Sequence, residues 1–92
     1  MTAADLVYKF HGRYMDAWYI ETAAEWAIAD VNSGQRVTSV PMFIQRVASS
    51  GINLADYWAE KLYWIYSDMI DTLLEEGTSA KPKRRRSAVS KG

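Results

Sequence analysis

From Ala3 to about Val31 the chain has no proline and a single glycine, Gly12, and its apolar residues fall into two stripes. Leu6, Phe10, Ala17, Ala24 and Ile28 are spaced 4, 7, 7 and 4; Tyr8, Met15, Tyr19 and Trp26 are spaced 7, 4 and 7. Those are helical intervals, and at 100° per residue the aliphatic and aromatic stripes lie on roughly opposite sides. Thr2 followed by Asp5 reads as a capping-box start, so the pattern predicts one long helix over this stretch. The polar side moves along it, from Asp5, Lys9, Arg13 and Asp16 to Glu21 and Glu25 nearly opposite. A helix that changes its buried side is expected to contact more than one neighbour.

Asn32, Ser33 and Gly34 stop the first helix, and Ser39 caps a short second one over about Val40 to Ser50, with Pro41 in its first turn and Met42, Phe43 and Val47 as apolar contacts. Gly51 is placed to close it in the left-handed conformation. Asn53, with Asp56 three residues on, predicts the cap of a third helix running to about Glu76. Its core stripe is Leu54, Trp58, Leu62, Ile65, Met69 and Leu73; Asp56, Glu60, Ser67, Asp68, Asp71 and Glu75 fill the other side, with Tyr57 and Trp64 among them. The expected fold is all-α: two long helices and one short one packed as a small bundle.

Composition divides this chain of 92 residues into a helical domain, 1–77, and a basic tail, 78–92. The body holds all eleven Asp and Glu against five Lys and Arg, a net of −6, whereas Lys81, Lys83, Arg84, Arg85, Arg86 and Lys91 give the tail +6. The tail has almost nothing apolar to offset ordering entropy, so it is expected to be disordered unless a partner orders it. The body carries 42 of the 45 apolar residues and all twelve aromatics, eleven of them within residues 8–26 and 57–66. One small core has difficulty hiding that many rings. Trp18, Phe43, Trp58 and Tyr66 are assigned to the core; Tyr8, Met15, Tyr19, Trp26, Tyr57 and Trp64 form the candidate protein-binding set.

Candidate chemistry is sparse. His11 has no Ser, Cys or second His placed beside it by the sequence, and reads as a half-buried ring that packs and bonds locally rather than as a catalytic base. Asp68, Asp71 and Glu75 share a face, but a solvated acidic surface outweighs a cation site, because calcium loops and phosphate partners for magnesium are missing. Cysteine is absent, removing disulfides and thiolate metal sites, and no phosphate loop, dinucleotide fingerprint or serine elbow occurs. No enzyme activity, cofactor or small-molecule substrate is expected. Nor is a signal peptide or a membrane span, which leaves a cytoplasmic or virion location.

Protein partners therefore lead, with a homo-oligomer favoured because a second copy can cover a second stripe and take a basic tail on its acidic side. The alternative is nucleic-acid binding, DNA or RNA, through the tail cations alone, since carboxylates surround the body's rings. A helix-turn-helix fails on register: buried positions fall on Arg46, Ser50 and Glu60, and the third helix offers Asp56 and Glu60 to the groove. A third option is an acidic inhibitor of a host nucleic-acid enzyme. A cysteine-free, aromatic-rich helical body with a charged end is similar in general character to small phage or viral proteins, both virion parts and host-directed inhibitors, although no motif carries that likeness.

Overall fold

The computed structural model describes residues 2–12 and 15–78, and four helices account for most of them. Arg13 and the six tail cations, Lys81, Lys83, Arg84, Arg85, Arg86 and Lys91, lie outside the described residues. The all-α bundle expected from the sequence is the observed fold, with one change in its parts. The first long helix is two helices, α1 (Ala3–Phe10) and α2 (Ala17–Ser33). His11 leaves the helical region with extended backbone and Gly12 follows at φ 91°, a left-handed conformation that suits glycine. The break explains the drifting polar side, because Asp5 and Lys9 belong to α1 and Glu21 and Glu25 to α2, so each stripe runs across two separately oriented helices.

Local chemistry sets each start and stop. Thr2 Oγ1 accepts from the Asp5 amide at 3.2 Å and Asp5 Oδ2 accepts from the Thr2 amide at 3.0 Å, completing the capping box of α1. These bonds hold the Asp5 carboxyl below the usual aspartate range. Gly34, at φ 74°, ends α2; its amide donates to Val31 and that of Gln35 to Asp30, which satisfies carbonyls of the last turn. The same arrangement recurs at the end of α3 (Val40–Ser49). There Gly51 stands at φ 80°, with Gly51 and Ile52 amides donating to Ala48 and Val47. Ser39 Oγ accepts from the Met42 amide at 3.4 Å to cap its start.

The last helix, α4 (Asp56–Thr78), starts three residues past Asn53, the expected cap. Residues 52–55 are non-helical, with Ile52 and Leu54 half-buried against the core and Asn53 and Ala55 exposed. Burial of alternate side chains keeps this segment out of the helix. At the other end α4 passes through Gly77 to Thr78.

The largest interhelical contact is between α2 and α4, with α1 packed on α2 and α3 on α4. Tyr19 and Trp58 line one cleft, Asp30 bonds Tyr66, and Arg36 pairs with Asp71. These pairs advance together, so α2 and α4 run in the same sense and α3 supplies the return. The core joins Leu6 and Phe10 of α1; Ile20, Ala23, Ala24 and Ala27 of α2; Phe43 and Val47 of α3; and Ala59, Leu62, Tyr63, Ile65, Tyr66, Met69 and Ile70 of α4. The alanines give α2 a low-relief buried face. α4 buries a broader arc than its predicted stripe because both α2 and α3 lie against it. Phe43 is central, with ring centroids 5.6 Å from Trp26, 5.6 Å from Tyr63 and 5.2 Å from Tyr66. Each such pair adds about 0.5–1.5 kcal/mol beyond area burial.

Candidate protein-binding surface

The interior holds one buried carboxylate among the described residues, and it ties the bundle together. Asp30 Oδ2 accepts from Tyr66 Oη at 2.5 Å and from Arg46 Nη1 at 2.6 Å, while Tyr66 Oη accepts from the Val37 amide at 2.9 Å. The Arg46 guanidinium also lies 4.5 Å from the centre of the Trp26 ring. One group thus joins α2, the link after it, α3 and α4. Burial and the Asp30 carboxylate push the Tyr66 hydroxyl up to about 12, because an ionised phenolate there would face a carboxylate in a dry site. A neutral, bonded Tyr66 is a structural group, and none of the residues of this knot lines the cleft of Met15, Tyr19 and Trp58 or that of Ala3, Val7 and Glu25. Asp30 falls in phase with Ile20, Ala23 and Ala27, so a carboxylate within an apolar stripe was the sequence signal for it.

The surface is where unused apolar area collects. Tyr8, Trp18, Tyr57, Trp58 and Trp64 are all exposed, Tyr8 by 76%, Trp18 by 57% and Tyr57 by 62%. Two of these correct the sequence assignment, since Trp18 and Trp58 were expected in the core. Trp18 sits in the first turn of α2 and Trp58 in the first turn of α4, at helix starts where the described residues leave Trp18 57% and Trp58 41% exposed. Phe43 and Tyr66 are fully buried, as assigned.

Around Trp58 the chain forms an open cleft of about 230 Å³ lined by Met15, Asp16, Tyr19, Leu54 and Trp58. Met15 and Tyr19 are half-buried there. Trp18 meets Tyr19 edge-on at 5.1 Å and Tyr57 meets Trp58 edge-on at 5.1 Å, so the two ring pairs belong to the two helix starts that form the cleft. Tyr57, Lys61 and Trp64 continue along the outer side of α4, with the Lys61 ammonium 5.1 Å from the centre of the Tyr57 ring. Trp64 leans edge-on against Tyr63 at 5.0 Å and remains 52% exposed.

The other expected binding residues are placed differently. Trp26 is half-buried, packed on Phe43 beneath Arg46, and serves the interior. Tyr8 stacks on His11 at 5.4 Å and does not line the cleft. His11 is exposed rather than half-buried, because the chain turns away at Gly12; its Nδ1 donates to the Tyr8 carbonyl. Among the described residues no three His, Asp or Glu side chains come together as a metal site, and no helix is long and apolar enough to cross a membrane.

Three comparisons with known proteins return nothing: no family model matches the chain, and neither a curated protein nor a solved structure matches it.

Proposed function

We propose that this chain is a non-enzymatic helical assembly protein that binds protein, a second copy of itself first, through the aromatic end of the bundle formed by the starts of α2 and α4. The observation that supports the reading is the open cleft of Met15, Tyr19, Leu54 and Trp58, with exposed Trp18 and Tyr57 in the same helix turns. Trp and Tyr give large, rigid contact area with few torsions to freeze, which is why they concentrate at the energetic centres of interfaces. Isolated exposed apolar residues are ordinary, but three large rings and a cleft in one place form a patch that burial by a partner stabilises.

Self-association by this route is apolar and persists in high salt, since it does not depend on charge. Light scattering of the full chain over a micromolar to millimolar range reads it directly. The expected result is a mass that rises with concentration in high salt and a dissociation constant weakened tenfold or more by Trp58→Ser, about 1.4 kcal/mol or more. A monomer at every concentration, or an assembly indifferent to both Trp18→Ser and Trp58→Ser, overturns the reading.

A further inference from the structure

We infer that the outer face of the first half of α4, where Tyr57, Glu60 and Trp64 stand together, receives the basic run 81–86 of a second copy of this chain. The inference rests on the self-assembly reading above, and adds a second, charge-driven contact beside the apolar cleft. Positions 57, 60 and 64 are separated by three and four residues and so form one stripe, and all three side chains are exposed. Asp56 and Asp68 lie on the same side of the helix. A ring beside carboxylates is a receptor for guanidinium or ammonium, which takes the ring face and the carboxylate together.

The molecule shows both halves of that chemistry. Arg46 lies over Trp26 while bonded to Asp30 in the interior, and Lys61 lies over Tyr57 on the surface. Run 81–86 is the complementary ligand: five of its six residues are Lys or Arg, and it carries no acid. It offsets most of the −6 of the body it lands on.

Reach decides between a neighbour and the same chain. Glu60 and Tyr57 lie eighteen and twenty-one residues before Thr78, about 27 and 32 Å back along the helix axis. Arg84, Arg85 and Arg86 lie six to eight residues past Thr78. A reversal of direction takes about four residues, leaving two to four, or about 7–14 Å of fully extended chain. With about 6 Å more for the side chain, that brings the guanidinium groups of the same chain back to the level of Trp64 at most, short of Glu60 and Tyr57. A second copy has no such limit, and reciprocal exchange gives a closed two-fold pair in which each copy donates one run and accepts one.

Light scattering of the full chain and its variants tests this, with far-ultraviolet circular dichroism confirming that each variant keeps its helices. Raising salt from about 0.05 to about 0.5 M is expected to weaken this part of the association tenfold or more. The combined change Arg84→Glu, Arg85→Glu and Arg86→Glu does the same in low salt, and Trp64→Ala weakens it about threefold or more. Glu60→Lys weakens the parent chain but strengthens the chain with the reversed run, and that restoration is the signature of a direct contact. Lys61→Ala vacates the Tyr57 ring and tightens association about threefold.

Association that ignores salt and the reversed run overturns this inference and leaves the apolar reading standing. A monomer throughout overturns both. A salt-dependent change of shape at constant mass assigns the run to its own chain and overturns the exchange. Binding of duplex DNA that needs the run, with no low-salt association, assigns it to nucleic acid and overturns it as well.

Discussion

Trp26 with Arg46 and Tyr57 with Lys61 are the same pairing of ring and cation, at 4.5 and 5.1 Å, in two different settings. The first lies against a buried carboxylate and a core phenylalanine and bridges residues twenty apart. The second spans one helix turn on an exposed face. Within the core, desolvation raises the value of each bond and the cost of leaving one unmade. On the surface, water offers either partner an equivalent contact, so the rings contribute little to folding and stay free to contribute to binding. Residue type does not separate stability from recognition here; burial does.

Asp30→Ala breaks the buried side of the comparison most severely. It strands the Tyr66 hydroxyl and the Arg46 guanidinium together, and urea denaturation is expected to show a loss of about 3 kcal/mol, the low end for a buried pair because Arg46 is partly exposed. Glu60→Ala on the surface stays within about 0.5 kcal/mol.

Tyr66→Phe costs less, about 2 kcal/mol, and carries a pH signature. Tyrosine ionises near 10 in the unfolded chain and near 12 at this site. Below pH 10 both states hold the proton and the contribution is complete. From pH 10 to 12 the unfolded state sheds its proton while the folded state keeps it, so stability falls by an amount on the order of 2 kcal/mol. Denaturation midpoints against pH should show a steeper decline over that window for the parent chain than for Tyr66→Phe, and parallel profiles contradict the buried bond.

Next come the tryptophans. Trp26→Ala is expected to cost about 2 kcal/mol, scaled down from a fully buried ring, whereas Trp64→Ala costs less than about 1 kcal/mol and acts on association. Equal thermal shifts for the two erase the distinction. The smallest effect is Lys61→Ala, about 0.5 kcal/mol or less, within the range of exposed ring–cation pairs.

Much of the fold was readable because caps and periodicity act within a turn or two. Ser39, Pro41 and Gly51 bracket α3, Gly34 closes α2, and Leu62, Ile65 and Met69 are buried as their spacing predicts. The break after Phe10 was not read, although Gly12 and Asp16 frame it. A lone glycine costs a helix only about 1 kcal/mol against alanine, so whether the helix continues depends on what packing gains by redirecting α1. Tyr57 and Trp64 were legible as exposed rings because acids surround them. Trp18 and Trp58 were not, since a helical phase gives a side chain's direction and leaves open whether a neighbour extends far enough to cover it.

The sequence by itself determined an all-α body, the positions where most of its helices start or stop, and the split of charge between residues 1–77 and 78–92. Only the tertiary structure decided that α2 and α4 run in the same sense, that their starts leave a ring-lined cleft, and that Asp30 is an anchor rather than a surface acid. The physical reason is range. Capping and periodicity are free energies between neighbours a few residues apart, whereas Asp30 meets Arg46 sixteen residues on and Tyr66 thirty-six residues on. Such contacts exist only after loops have closed and water has left, so the local pattern that places Asp30 on a buried face does not name its partners.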